Sequence, residues 1–320
     1  MLDPASRSVW RLGTRRSPLA LIQAAEARDR LIAAHALAPE SVEVVPVTAS
    51  GDKVLDRPLA EIGGKALWTK ELDAWLLAGE IDIAVHSAKD VETLRPAGIA
   101  MAAVLPREDV RDVLILRQAQ DERIGFGGLA ALPQGARIGT SAPRRAAQLL
   151  NLRPDCRIVP FRGNVATRLA KLAAGEADAT LLAAAGLNRL GQSEAGHALA
   201  AESWLPAPGQ GAIAIECRTG DSTMMAMLAA IDHAPSRDGL MAERALLAAL
   251  GGNCHSPIAV LTRADGDALI MRATLFSPDG AHRCDGEARF AAGDLQGPAE
   301  LARDLLARAA PQIAAHFDGP

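Results

Sequence analysis

Residues 9–35 read VWRLGTRRSPLALIQAAEARDRLIAAH, and this stretch decides the fold class. Residues 9–13 read as a short strand that runs into Gly13-Thr14. Ser17-Pro18 then has the chemistry of a helix start. The hydroxyl can accept from an open N–H, and the proline ring fixes φ where no donor is needed. The alanine-rich run to His35 carries the helix. Further out, residues 42–48 are apolar and β-branched, 65–77 form an amphipathic helix stopped by Gly79, and 81–86 are a buried strand. Strand, helix and strand at this pitch predict an α/β chain with a largely parallel, doubly wound sheet.

The plan recurs downstream. Arg11-Leu-Gly-Thr before a helix is echoed by Arg137-Ile-Gly-Thr before a helix. Leu77-Ala-Gly-Glu-Ile-Asp-Ile-Ala is echoed by Ala173-Ala-Gly-Glu-Ala-Asp-Ala-Thr. The two offsets differ, which excludes a fixed-period repeat. Two similarly built α/β domains would explain the echo, and so would coincidence in an alanine-rich chain. Between the echoes, residues 118–135 are polar and glycine-rich and read as an exposed loop. After Leu205-Pro-Ala-Pro-Gly, residues 211–217 form a strand, and helices follow around 224–231 and 237–250. Strands near 257–262, 269–276 and 281–289 are neighbours in sequence, the mark of an antiparallel sheet. With a helix from Pro298 they predict a smaller C-terminal α+β domain.

Composition narrows the function. The 320 residues are 49% hydrophobic and 22% charged with a net charge of −4, a length that suits two or three domains. Aromatics are 3%, with no Tyr, so base stacking and a cationic nucleic-acid surface are both poorly supported. No run of about 18 uncharged apolar residues is present to span a membrane. The N-terminus lacks the order of a secretory signal. Cys156, Cys217, Cys254 and Cys284 are scattered with no CxxC, which argues against disulfides and a structural zinc site. A cytoplasmic, multidomain enzyme without a metal is expected.

Basic residues recur where strands end and helices begin: Arg15 and Arg16, Lys89, Arg144 and Arg145, Arg162 and Arg168, and Arg189. Ligands of doubly wound sheets bind beyond the carboxyl ends of the strands, where helix N-termini add anion-binding N–H groups. A surface arginine in an arginine-rich chain is commonly just solvated, but the repetition at strand ends points to a cationic cleft between two domains that clamps carboxylates. Lys65, Lys70 and Lys89 cluster in a chain that otherwise prefers Arg. No loop has the spacing of a nucleotide-triphosphate site. Asp90, directly after Lys89, reads either as a cap or ion-pair partner, or as a carboxylate that stabilises positive charge on a substrate. Cys254, in a Gly-Gly-Asn-Cys-His-Ser-Pro turn, reads as exposed: an attachment point or nucleophile, or a loop cysteine without a role.

Taken together, these motifs resemble the hydroxymethylbilane synthase (porphobilinogen deaminase) family over essentially the whole chain. The resemblance is carried by Gly63-Gly-Lys-Ala-Leu-Trp-Thr-Lys-Glu-Leu72, Asp82-Ile-Ala-Val-His-Ser-Ala-Lys-Asp90 and Gly139-Thr-Ser-Ala-Pro-Arg-Arg145. It continues in Arg162-Gly-Asn-Val-Ala-Thr-Arg168, Ala185-Gly-Leu-Asn-Arg-Leu-Gly191, Leu205-Pro-Ala-Pro-Gly-Gln-Gly-Ala212 and the turn around Cys254. It implies two periplasmic-binding-protein-like doubly wound domains, at 1–110 with 207–228 and at 111–206, plus a C-terminal α+β domain at 229–320.

The implied activity joins four porphobilinogen molecules head to tail with loss of ammonia. The growing chain sits on a dipyrromethane cofactor held by thioether, which matches Cys254. Asp90 matches the catalytic aspartate, facing the cationic azafulvene left by ammonia. Matched binding positions are Arg15, Ser17, Lys89, Thr140, Ser141, Arg144, Arg145, Arg162, Arg168 and Arg189, with Lys65, Lys70, Ser87, Gly163 and Gln210 lining the same cleft. Porphobilinogen is the implied partner of a cytoplasmic monomer that binds neither nucleic acid nor membrane. Two departures stand out. Ala142-Pro143 replaces the usual Ser-Leu, which removes one serine contact, and Phe161 stands where Leu is usual. A carboxylate-binding module without chemistry is the rival reading; it leaves Cys254 and the third domain unexplained.

Overall fold

The computed structural model describes residues 9–48, 69–117, 128–317 and 319. Its strands in chain order are β1 (Trp10–Arg15), β2 (Val42–Val47), β3 (Ile83–Ser87), β4 (Ile99–Val104), β5 (Asp112–Leu116), β6 (Arg137–Gly139), β7 (Arg157–Val159), β8 (Ala179–Ala183), β9 (His197–Ala198), β10 (Ile213–Arg218), β11 (Ile258–Asp265), β12 (Ala268–Phe276) and β13 (Arg283–Ala291). The helices are α1 (Pro18–His35), α2 (Lys70–Ala78), α3 (Pro143–Leu152), α4 (Val165–Ala173), α5 (Ala184–Arg189), α6 (Ser222–Ala229), α7 (Ala234–Leu250), α8 (Gln296–Arg308) and α9 (Pro311–Ala314). The described residues fall into two compact units: 9–48, 69–108 and 211–240 in the first, and 109–117, 128–210 and 241–317 in the second.

The first unit is built on a five-stranded sheet of order β2-β1-β3-β10-β4. Side chains alternate across it, as strand geometry requires. Leu12, Ile83, Val85, Ile213 and Ile215 pack with Ala24, Ala27 and Leu31 of α1 and Met224 and Leu228 of α6. Ala84, between Ile83 and Val85, packs instead with Leu72 and Leu76 of α2. Helices thus cover both faces, as expected for a doubly wound sheet. The sheet is largely parallel, as the sequence predicts, with one reversed strand. β1 runs parallel to β2 and β3, whereas β10 is antiparallel to β3 and β4. No crossover helix joins β10 to either neighbour, so the geometry that makes βαβ strands parallel does not act on it.

Local signals placed the elements well. Ser17 caps α1, its Oγ accepting from the Ala20 N–H at 3.4 Å, with Pro18 in the first turn. Gly79 ends α2 at φ 74, where a left-handed residue returns N–H groups to the last carbonyls. The first residues of the expected 65–77 helix lie outside the described residues.

The second unit repeats the plan. Its sheet has the order β7-β6-β8-β5-β9, with β6 parallel to β7 and β8, and β5 antiparallel to β8 and β9. β5 takes the place that β10 takes in the first sheet. The echoed motifs meet each other in both units. The Arg11 N–H donates to Asp82 Oδ2 at 3.0 Å and its guanidinium to the Gly79 carbonyl. The Arg137 N–H donates to Asp178 Oδ2 at 2.9 Å and its guanidinium to the Gly175 carbonyl at 3.1 Å. The echoed motifs therefore hold equivalent positions in two sheets of the same plan. The C-terminal part forms a smaller antiparallel sheet, β11-β12-β13. Its own core joins Leu246 and Leu250 of α7, Leu301 and Leu305 of α8, and Val260, Met271 and Leu275.

Candidate functional site

In the first unit the strand ends form a pocket. β1 delivers Arg15, the start of α1 delivers Ser17 and Gln23, and β3 with its following turn, Ala88–Asp90, delivers His86, Ser87 and Asp90. The turn is fixed from behind by the Ala88 N–H donating to the Ala212 carbonyl at 3.0 Å. Gln23 Nε2 donates to Ser87 Oγ at 2.9 Å. Asp90 Oδ2 lies 3.8 Å from Arg15 Nη1, and both side chains are partly open to solvent. Lys89 is half-buried beside them. The sequence reading brought Arg15, Ser17, Ser87, Lys89 and Asp90 to one place, and the structure places them on these adjoining elements. Lys70 opens α2 and is exposed; Lys65 lies outside the described residues.

Beneath this pocket is an ionic network that the sequence reading missed. His86 Nε2 is 3.3 Å from Glu216 Oε2, outside hydrogen-bonding geometry. Glu216 also accepts from Arg95 at 2.7 Å, and Arg95 reaches Asp73 at 2.5 Å. Burial alone would raise the Glu216 carboxyl, but His86 and Arg95 outweigh it and hold it at about 2. Nothing in the sequence of β10 distinguishes Glu216 from a solvated acid.

In the second unit, β6 runs into Thr140, Ser141 and the first turn of α3. Thr140 is buried, its N–H bonded to the Val159 carbonyl at 2.9 Å and its hydroxyl accepting from the Ala142 N–H at 3.2 Å. Pro143 opens α3 as its ring suits, and Ala142 at the cap position offers no side-chain acceptor. Arg144 and Arg145 are buried, at 5% and 4% exposure. They converge on Asp112, at the head of β5. Arg144 Nη1 donates to Oδ2 at 2.5 Å, and Arg145 Nη2 donates to Oδ1 at 2.7 Å. Trp204 Nε1 adds a bond at 2.7 Å and Gln210 Nε2 one at 2.9 Å. Burial would raise Asp112, but the two guanidiniums hold it well below the usual carboxylate range. Gln210, expected to line the cleft, is 1% exposed and turned to this interior hub.

The other cations sit at further strand ends. Arg162 and Gly163 precede α4, whose cap Asn164 accepts from the Thr167 N–H at 2.9 Å. Gly163 has φ 101, and a Cβ there would approach Thr167 Cγ2 to 2.7 Å, so the turn needs glycine. Arg168 Nε donates to the Gly163 carbonyl at 3.0 Å, and Arg189 ends α5, half-buried.

Cys254 is exposed, whereas Cys156, Cys217 and Cys284 are buried. Burial pushes the Cys217 thiol up to about 11 and raises those of Cys156 and Cys284, which leaves all three poor nucleophiles. The turn around Cys254 is built by the Asn253 N–H donating to Ser256 Oγ at 3.0 Å and the His255 N–H donating to Asn253 Oδ1 at 2.8 Å. Among the described residues no cluster of His, Cys, Asp or Glu is arranged to hold a metal, and no helix is long and apolar enough to cross a membrane.

The second unit also has donors for an anionic group. Arg144 Nε and Ser141 Oγ are buried without a hydrogen-bond partner, a costly state that an incoming acceptor would relieve. An exposed thiol and two buried donors beside a net-positive pair fit a carboxylate-bearing, cysteine-linked dipyrromethane.

Comparison with known proteins agrees. Residues 10–226 match the family model "Porphobilinogen deaminase, dipyromethane cofactor binding domain", and residues 239–310 match "Porphobilinogen deaminase, C-terminal domain". Porphobilinogen deaminase of Sphingopyxis alaskensis is 56% identical over 304 residues, 95% of each chain. That of Nitrobacter winogradskyi is 48% identical over 310 residues, 96% of each chain. The chloroplastic protein of Oryza sativa subsp. japonica is 50% identical over 281 residues, 87% of this chain and 76% of its own. Among solved structures, the double-mutant VFT2 domain of Bordetella pertussis BvgS has a TM-score of 0.44 at 20% identity, over 75% of this chain and 93% of its own. Full-length identity near one half, with both family models in their order, shows that the chain belongs to the porphobilinogen deaminase family.

Proposed function

We propose that Asp90 is the catalytic carboxylate of this chain and that Cys254 carries its dipyrromethane primer. The family's enzyme is a transferase of tetrapyrrole and heme biosynthesis. It condenses four porphobilinogen molecules head to tail into hydroxymethylbilane, releasing one ammonia for each. The observation that carries the assignment is the setting of Asp90, partly open, 3.8 Å from Arg15 in a pocket at the strand ends. A carboxylate so placed accepts N–H bonds from a pyrrole, and its charge favours the cation left on the substrate as ammonia departs. Arg15 orients the carboxylate, and its guanidinium is the kind of group that pairs with substrate acetate or propionate.

When bound, the primer would supply the pyrrole carbon to which the first unit is joined, each later unit joining the ring added before it. Lys89, Thr140, Ser141, Arg144 and Arg145 would hold it, with Asp90. Ser17, Arg162, Gly163, Arg168, Arg189 and Gln210 would serve the substrate units, Gln210 through the Asp112 hub. The chain is read as a cytoplasmic monomer; its net charge of −4 and few aromatics support a life apart from nucleic acid. Incubating purified protein with porphobilinogen tests this: one ammonia released per molecule consumed is expected. Binding of porphobilinogen without ammonia would instead identify a carboxylate-binding module.

A further inference from the structure

We propose that Asp112 is the positioning residue of the primer site, fixing Arg144 and Arg145 and cancelling one of their two charges. This rests on the family reading above, which assigns the two arginines to the primer. Five hydrogen bonds converge on the Asp112 carboxylate. A carboxylate offers about four lone-pair sites, so its acceptor capacity is filled. Arg145 is held entirely: Nε and Nη2 on Asp112, Nη1 on the Leu181 carbonyl at 2.8 Å. Arg144 keeps Nη1 on Asp112, while its Nε stays unpartnered.

The charge count is what gives this arrangement a direction. Two guanidiniums share one carboxylate, so the hub carries a net positive charge in a buried setting. Arginine stays protonated there, and burying an unbalanced charge is expensive unless an anion completes the set. Without Asp112 the pair would repel and turn outward. With Asp112 it is held rigid and short of one anion, the condition for seating a carboxylate with little reorganisation.

The test is the fraction of denatured protein that carries the two-pyrrole mass after expression, in the full chain. Asp112→Asn keeps the side-chain shape and removes the charge; a loss of primer of about tenfold or more in soluble, folded protein is expected. Leu149→Ala, in the core under the same helix, is the stability control. It should lower Tm at least as much and keep its primer. Equal primer in Asp112→Asn and Leu149→Ala at comparable Tm overturns the proposal. If Asp112→Asn is insoluble, Asp112→Glu keeps the charge but displaces it by a methylene. The same loss is then expected, and full retention overturns the idea. A wild-type chain that lacks the mass would instead refute the family reading on which the inference rests.

Discussion

Arg11 and Asp82, 71 residues apart, are joined through the Arg11 N–H at 3.0 Å and its Nε at 3.3 Å, with the Asp82 side chain fully buried. Arg137 and Asp178 repeat the arrangement in the other sheet. Each pair ties the start of one central strand to the turn before its parallel neighbour. The short motifs that echo along the sequence are therefore the two halves of a clasp, kept twice.

Removing the acid should unzip that clasp. Asp82→Ala takes the buried acceptor from Arg11 and Arg218, both partly open to solvent, and is expected to cost roughly 2 kcal/mol in urea unfolding. Asp178→Ala, whose arginine is more exposed, should cost less. Equal costs would show that burial does not set the strength of the clasp.

Glu216 gives the protein a dependence on acid. Its carboxyl sits at about 2 in the folded chain against 4.5 ordinarily. The stabilisation it brings is thus complete above about pH 4.5 and is lost as pH falls toward 2. The amount is on the order of 3 kcal/mol. Glu216→Gln should be less stable near neutrality and show a shallower decline between pH 5 and pH 2, on the scale set by the unperturbed carboxylate. Parallel curves for wild type and variant would remove Glu216 from the acid response.

Asp90→Asn separates chemistry from primer attachment. The amide keeps the shape and loses the charge that favours the substrate cation, so kcat should drop by about 10²–10³. The primer mass should persist in that variant. A small change in kcat would place the charge elsewhere.

Ala142 leaves the first turn of α3 without a side-chain cap. Ala142→Ser restores an acceptor there and should raise stability by about 1 kcal/mol, read as a higher Tm. No gain would mean that the Thr140 hydroxyl already satisfies this end.

Much of this was legible in the residues. Ser17-Pro18 and Gly79 mark helix ends because they act through their own backbone neighbours, and Cys254 reads as exposed because two glycines and an asparagine surround it. Asp112 was not legible. At the head of an apolar strand it looks like a solvated cap, since its donors lie from 32 to 98 residues further along the chain. The same distance effect hid the interior placement of Arg144 and Arg145, which read as open cleft cations, and the direction of β10, which no local pattern sets.

The central claim, a cysteine-linked primer on which the chain is built, is tested most directly by intact mass of denatured protein beside Cys254→Ala. A stable excess of two pyrrole units in wild type, absent from the variant, is the expected result. The unmodified mass in both, even after incubation with porphobilinogen, would contradict it.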